Sequence, residues 1–228
     1  MLVADNVREV REDIAEACIR AGRDPESVSL MAVTKNHDES AVSAAYEAGV
    51  RCFGENRVQE AAAKYAERPG DLDLHLIGHL QRNKAKAAAG LFSTVQSIDR
   101  VETAEALDRQ SGQAGVRMRI LLEVNTSGED SKYGVSDTDA LRSLLDGILE
   151  LEHLDPVGLM TLAPFTDEEQ PIRRSFRELV RLFTIVARGY PDLAFTELSM
   201  GMSNDYAIAV EEGSTMVRLG TRLFGARS

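Results

Sequence analysis

The sequence contains no tryptophan and only two cysteines, Cys18 and Cys52. Two cysteines are too few for a disulfide framework or a thiolate metal site, and four scattered histidines do not form a metal-binding set, so we expect no metal. No apolar run approaches the ~20 residues that a membrane helix needs, and the first ten residues lack a signal-peptide core. These absences predict a cytoplasmic protein with no membrane partner.

Basic residues are also scarce, since 26 lysines and arginines face 37 acidic residues and give a net charge of −11. A negative field of this size repels phosphate backbones and excludes a general nucleic-acid binder. An anionic ligand therefore needs a local positive site. The composition is 43% hydrophobic and 28% charged, which is typical of a globular protein, and no linker interrupts it. We expect one domain over residues 1–228.

Short apolar runs alternate with helical patterns along the whole chain. We interpret eight of these runs as strands. They span residues 29–33, 50–53, 74–77, 93–98, 118–124, 156–162, 195–199 and 216–219. These strands are continuously apolar and do not alternate apolar with polar residues, and a helix follows each of them. This pattern indicates a parallel sheet whose outer face is covered by helices. Eight such units in a chain of this length favour an α/β fold of the (β/α)8 TIM-barrel type, and an open doubly wound sheet is the alternative.

One helix has no strand before it. Residues 6–21 place Val7, Val10 and Ile14 on a single face. We predict that this extra N-terminal helix lies across the floor of the barrel. Spacings typical of a capping box predict helix N-caps at Asn56 and Asp99, and a third at Thr166.

In parallel barrels the chemistry lies at the carboxyl ends of the strands, so the residues that follow each run are candidates for the site. They are Lys35, Asn56, His79, Asp99, Asn125, Met160, Ser199 and Gly220. Of the five lysines, Lys35 alone directly follows an apolar strand. At the rim of a dry barrel, a lysine loses hydration, which lowers its pKa and favours Schiff-base formation with a carbonyl. The alternative is a lysine that simply extends into solvent, which is what we predict for Lys64.

The last two loops resemble phosphate-binding loops of other barrels. Ser199 and Ser203 offer hydroxyls in the first loop, and Gly220 and Thr221 lie where the final strand ends. Such loops hold phosphate with peptide N–H groups at a short helix, although ordinary turns would have the same composition. A Schiff-base lysine beside a phosphate site indicates a phosphorylated aldehyde as the ligand.

Seven motifs extend this pattern to a family resemblance. They are AVTK at 32–35, FGENRVQE at 53–60, HLIGHLQRNK at 75–84, VNTSGE at 124–129, GLM at 158–160, LSMGMS at 198–203 and VRLGT at 217–221. The sequence resembles the pyridoxal phosphate homeostasis proteins, which are single-domain relatives of the alanine racemase N-terminal barrel. The motifs occur in the expected order across nearly the whole chain.

The resemblance implies that pyridoxal 5′-phosphate (PLP) is held as an internal aldimine on Lys35. It implies that Ser199, Gly220 and Thr221 bind the phosphate. It also implies that Arg218 lies beside the pyridine nitrogen and that Asn56 lines the ring pocket. Asn36, His37 and Arg222 depart from the residues we expect at their positions.

The resemblance, joined to one physical argument, predicts the function. A protonated arginine beside the pyridine nitrogen disfavours a second positive charge there, which makes the ring a poorer electron sink. Racemases of the resembling family add a tyrosine base from a second domain, for which eight βα units leave no room. We therefore expect no catalytic residue, and a monomer that binds and buffers PLP or delivers it to apo PLP-dependent enzymes. The alternatives are a PLP-dependent amino-acid racemase, a Schiff-base aldolase and a degenerate barrel used as a scaffold.

Overall fold

The computed structural model describes residues 2–129 and 131–225, and its eight parallel strands close into one barrel. The strands are β1 (Ser29–Val33), β2 (Cys52–Glu55), β3 (Asp73–Leu76), β4 (Thr94–Ile98), β5 (Met118–Glu123), β6 (Leu154–Met160), β7 (Glu197–Ser199) and β8 (Met216–Leu219). Each strand pairs with the next along the chain, and β8 pairs with β1. The predicted barrel is confirmed, and the open sheet is excluded.

Helices cover the outer face of the strands. They are α1 (Val3–Arg20), α2 (Glu39–Glu47), α3 (Val58–Lys64), α4 (Ala85–Ala89), α5 (Val101–Ala114), α6 (Thr138–Leu149), α7 (Glu169–Gly189), α8 (Tyr206–Glu211) and α9 (Thr221–Phe224). The longest, α7, buries Phe176, Leu179 and Leu182 at helical spacing against the sheet. None of the helices in the described residues has the length and apolar character needed to cross a membrane.

The extra helix α1 lies in the outer helical layer, so its predicted position across the barrel floor is wrong. The Asn6 side chain donates to the carbonyl of Leu223 beyond the carboxyl end of β8, at 2.7 Å. Near the other end of α1, Arg23 donates to the carbonyl of Ser214 before β8 begins, at 2.8 Å. The helix therefore runs beside β8, packed against α2, α8 and α9. It does so because α9 has only four residues and leaves that strand uncovered.

The three predicted N-caps are also wrong. The N-caps of α3 and α5 are Arg57 and Arg100, each one residue after the predicted cap, and the N-cap of α7 is Glu168. None of these three side chains forms a capping hydrogen bond. Side-chain capping occurs instead at Asp38 for α2 and Asp137 for α6. Because Asn56 does not cap a helix, its side chain is available at the end of β2.

The barrel interior is filled by apolar side chains at its centre and by a few buried polar ones. Met31, Val33 and Met216 form an inner cluster that Cys52 and Ile77 border. Close packing explains a glycine in β2, because a Cβ on Gly54 would lie 2.6 Å from the sulfur of Met31. The buried polar side chains of the interior include His75, Gln96, Ser199 and Arg218. They connect the core to the site at its mouth.

Candidate functional site

A cavity of about 310 Å³ lies at the carboxyl ends of the strands. This volume is at the lower end of the ~300–1,000 Å³ typical of small-molecule sites. Of the residues that the sequence predicted for the site, the cavity wall contains Lys35, Asn56, Arg218, Gly220 and Thr221. Parallel strands that end at one edge of a closed sheet account for this convergence.

Lys35 is the only lysine among the described residues of the cavity wall. It lies two residues after the end of β1, and the next residue, Asn36, has a left-handed backbone with φ of 61°. Asparagine adopts this region more readily than most residues, so the sharp turn after the lysine is tolerated. The amide N–H of Asn36 donates to Glu60 Oε1 at 2.5 Å. The turn that carries Lys35 is therefore held from α3.

A second lysine supports this turn from beneath. Lys64 Nζ donates to the carbonyl of Thr34 at 2.6 Å, to Glu55 Oε1 at 2.7 Å and to Glu60 Oε1 at 3.1 Å. These three acceptors satisfy the three N–H donors of its ammonium group. Its side chain is only 6% exposed and that of Glu55 is fully buried, so the prediction of an exposed Lys64 is wrong. Burial raises the pKa of Glu55, although the hydrogen bonds from Lys64 and Thr34 oppose the shift.

Arg218 brings a positive charge to the inner wall of the cavity. Its side chain donates to Ser199 Oγ at 2.7 Å and to the carbonyl of Thr161 at 2.8 Å, and the residue is 3% exposed. Burial lowers its pKa to about 10, against the attraction of Asp205 and Glu123, so it remains charged at neutral pH. No described carboxylate forms an ion pair with it within 4.0 Å. The cavity wall therefore includes a guanidinium that no carboxylate of the described residues neutralises directly.

Ser199 lies behind Arg218 and not on the cavity wall. Its hydroxyl accepts from Arg218 and donates to Gln96 Oε1 at 2.6 Å. The Gln96 amide nitrogen lies 2.8 Å from His75 Nδ1, and His75 Nε2 lies 2.8 Å from Asp73 Oδ2. A chain of buried hydrogen bonds thus crosses the barrel interior from Arg218 to Asp73. The donors of Arg218 and Ser199 in this chain point away from the cavity.

The phosphate contact predicted for Ser199 has a better candidate in Ser203, which does line the cavity. The Ser203 hydroxyl accepts from the amide of Arg222 at 3.2 Å, while the Arg222 side chain turns outward to Asp13 at 3.4 Å. The unexpected arginine therefore does not fill the cavity. Ser203 lies on the wall together with Gly220 and Thr221.

Two carboxyl groups lie inside the barrel mouth near Arg218. Glu123, at the end of β5, is 6% exposed, and burial together with the charge of Asp99 raises its pKa to about 7, although Arg218 opposes the shift. The Asp99 side chain is 5% exposed, and its Oδ1 has no hydrogen-bond partner among the described residues. The strand-end position of Asp99 predicted a site residue. Nothing in the sequence pattern singled out Glu123.

Part of the wall was not predicted. The segment after β6 contributes Leu162, Phe165 and Asp167, and Phe165 is 91% exposed at the rim. The sequence offers only weak signals for this segment, because it follows a strand end without a motif. Two other strand-end residues are used elsewhere. His79 stacks on Tyr133 with ring centroids 4.3 Å apart, and Asn125 donates to the carbonyl of Glu129 within its own loop.

Comparison with known proteins agrees with this geometry. Residues 6–228 match the family model described as "Alanine racemase, N-terminal domain". The pyridoxal phosphate homeostasis protein of Pseudomonas aeruginosa is 41% identical over 227 residues, which cover 99% of this chain and 96% of the relative. That of Aquifex aeolicus is 38% identical over 228 residues, covering 100% and 99%. The chain belongs to the pyridoxal phosphate homeostasis protein family.

A solved structure supports the same assignment. PipY of Synechococcus elongatus, described with PLP bound, superposes with a TM-score of 0.85 and 38% identity. The match covers 98% of this chain and 100% of PipY. The family resemblance inferred from the motifs is confirmed, and this chain and PipY share the same barrel fold.

We predict that Lys64→Met destabilises the protein by about 3–5 kcal/mol, because it leaves Glu55 buried without its cation. Urea unfolding measures the loss. The double variant Lys64→Met/Glu55→Gln should recover part of it, since the buried charge is then removed. Lys86→Met, at an exposed position of α4, is the matched control and should change stability by less than about 0.5 kcal/mol. Equal stability of Lys64→Met and this control would contradict the buried pairing.

We predict a pH-dependent effect of Glu123→Gln. Folding raises the pKa of Glu123 from 4.5 to about 7. Between these two pH values Glu123 is protonated in the folded protein and ionised in the unfolded protein. The stability of the wild type therefore falls relative to Glu123→Gln as the pH rises through this range, by about 3 kcal/mol at most. Urea unfolding from about pH 4 to about pH 8 measures the difference. Glu105→Gln, on the exposed side of α5, is the control, and parallel pH profiles for wild type and Glu123→Gln would disprove the prediction.

Proposed function

We propose that this chain binds PLP through a Schiff base with Lys35 and stores or delivers the cofactor without turning over a substrate efficiently. The observation that carries the proposal is that Lys35 and the guanidinium of Arg218, which no described carboxylate pairs, meet in one cavity. PLP presents an aldehyde, a ring nitrogen and a phosphate to these groups. Relatives named as homeostasis proteins, and PipY with PLP bound, support this choice of ligand.

Each wall residue has a proposed role that its position allows. Lys35 forms the covalent bond, and Arg218 donates a hydrogen bond to the ring nitrogen from the inner wall. Asn56, which does not cap a helix, contacts the ring from the end of β2. When bound, PLP supplies an electrophilic aldehyde that exchanges between amines. The protein orients that aldehyde and limits its access to other amines.

The phosphate is assigned to the end of the cavity formed by Ser203, Gly220 and Thr221. A side chain at Gly220 would crowd this end, because its Cβ would lie 3.2 Å from the carbonyl of Val33. Glycine therefore lets the last strand end close to β1 and leaves its backbone accessible. Ser199 acts indirectly, because its hydroxyl holds Arg218 in place.

Charge explains why we propose a binding protein over an efficient racemase. Arg218 keeps its proton at neutral pH, since its pKa is about 10. A cation beside the ring nitrogen disfavours protonation of that nitrogen, which weakens the ring as a sink for a substrate carbanion. No tyrosine among the described residues lines the cavity to serve as a compensating base.

The same proposal assigns a setting and partners. We infer a monomer that acts in the cytoplasm, with apo PLP-dependent enzymes as recipients of the cofactor. The two free cysteines accord with a reducing compartment. The net charge of −11 disfavours nucleic-acid partners.

We predict that borohydride reduction of the PLP-loaded protein leaves one adduct per chain, on Lys35. Tryptic peptide mass spectrometry locates the attachment, and absorbance before and after reduction follows the loss of the coloured species. Lys35→Ala should lose the adduct, whereas the exposed control Lys86→Ala should keep it. A principal adduct on Lys64 or on any other lysine would refute the assignment.

We predict that the PLP-loaded protein racemises amino acids far more slowly than ordinary enzymes, whose turnover lies at ~1–1,000 per second. Incubation of L-alanine in deuterated water, followed by chiral chromatography and mass spectrometry, measures both inversion and exchange at the α-carbon. An authentic alanine racemase under identical conditions is the positive control. Turnover within the ordinary range would establish the racemase alternative.

A further inference from the structure

A second group of reactive side chains lies at the opposite end of the barrel from Lys35. Cys52 is the first residue of β2 and Asp73 the first of β3, and the two are paired in the strand register. His75 lies two residues after Asp73, so both point to the same face of the sheet. His75 is fully buried, whereas the Asp73 side chain is 41% exposed. The three side chains therefore meet at the amino ends of neighbouring strands.

Two groups approach the same nitrogen of His75. Nε2 lies 2.8 Å from Asp73 Oδ2 and 3.8 Å from Cys52 Sγ, and one donor atom from each residue lies within 4.8 Å of the others. A nitrogen can give its single proton to only one of the two neighbours. A Cys–His–Asp relay would need the carboxylate on the other nitrogen, Nδ1. Three lone-pair donors around one point are instead arranged as a cation requires.

Outer hydrogen bonds orient two of the three donors. Gln96 lies 2.8 Å from the far nitrogen of His75, Nδ1, and fixes the plane of the imidazole. The Ser93 hydroxyl donates to the second oxygen of Asp73. Such supporting contacts to histidine and carboxylate ligands are a regular feature of protein metal sites.

Charge and access also suit a cation. The Asp73 side chain is 41% exposed, so a cation can reach its carboxylate from solvent. Arg119, a charged neighbour of Asp73, is paired with Glu197, which offsets its repulsion of a cation. Cys52 also lines a cavity of about 530 Å³ bounded by α1 and the starts of β1 and β2.

We propose that Cys52, Asp73 and His75 bind a divalent cation of borderline softness, Zn²⁺ in the first instance. Sulfur, imidazole and carboxylate ligands together favour Zn²⁺ over Mg²⁺ or Ca²⁺. In a tetrahedral zinc site, sulfur and nitrogen ligands lie about 3.6 Å apart and nitrogen and oxygen about 3.4 Å apart. The observed separations are 3.8 and 2.8 Å, so a small outward rotation of the exposed Asp73 side chain completes the geometry. Solvent supplies the fourth ligand.

Proton balance defines how the site changes on binding. The metal replaces the thiol proton of Cys52, which passes to water. The single proton of the neutral imidazole moves from Nε2 to Nδ1, so that Nε2 can bind the metal. Gln96 must therefore turn its amide so that its oxygen faces this N–H. The site shares no residue with the cavity wall that contains Lys35, so its test does not require bound PLP, and Gln96 and Ser199 connect the two sites.

Cobalt titration of the full chain tests the site. The protein is freed of metal with a chelator and titrated with Co²⁺, and Zn²⁺ is then added in competition. We expect one Co²⁺ per chain, visible ligand-field bands, a near-ultraviolet thiolate-to-cobalt charge-transfer band, and displacement by one Zn²⁺. Cys52→Ala should abolish the charge-transfer band, and Asp73→Asn should weaken binding at least tenfold. Gln96→Ala should weaken it about 10–100-fold.

Cys18→Ala is the matched control, because Cys18 is the other free thiol and lies buried on α1. It should leave the cobalt spectrum unchanged. Isosteric Asp73→Asn keeps the test decisive if Cys52→Ala unfolds, which thermal denaturation monitors. A cobalt spectrum without a thiolate band, or unchanged affinity in Asp73→Asn, would overturn the proposal. Loss of the band in Cys18→Ala would also overturn it.

Discussion

The guanidinium of Arg218, buried among apolar strands, is the constraint on which the rest of the site depends. Burying an uncompensated charge costs several kcal/mol or more, so the fold must surround it with acceptors. Ser199 and the carbonyl of Thr161 supply two of them, and Arg218 also lines the cavity. In a chain of net charge −11, it brings a local positive charge to the cavity wall.

Residue patterns were enough to predict the barrel and most of its mouth. Strand ends can be read from apolar runs, and parallel strands bring Lys35, Asn56 and Gly220 to one edge without further information. The same sequence patterns do not predict the position of a side chain whose partner lies on a different helix or strand. Lys64 follows an alanine-rich stretch that is typical of an exposed helix. Its ammonium group is nevertheless buried, because it pairs with Glu55 on β2. Ser199 occupied the right loop but faces Arg218 and not the cavity.

Register is the information that a single sequence does not carry. Counting cysteines and histidines separately excluded a metal, whereas the pairing of Cys52 with Asp73 brings His75 to both of them. The position of α1 depends on a similar fact, since a four-residue final helix leaves β8 uncovered. Patterns predict which elements form. Tertiary neighbours decide what their polar side chains contact.

The docking of α1 beside β8 has a consequence for biosynthesis. Asn6 and its partner Leu223 are 217 positions apart, so α1 is synthesised long before α8 and α9, against which it packs. Contacts of such long range are formed late, after most of the loop-closure entropy has been lost. Lys35 and Arg218 likewise come from opposite ends of the chain. A nascent chain that still lacks β8 therefore contains Lys35 without the Arg218 side of the cavity, and its incomplete barrel leaves apolar surface exposed.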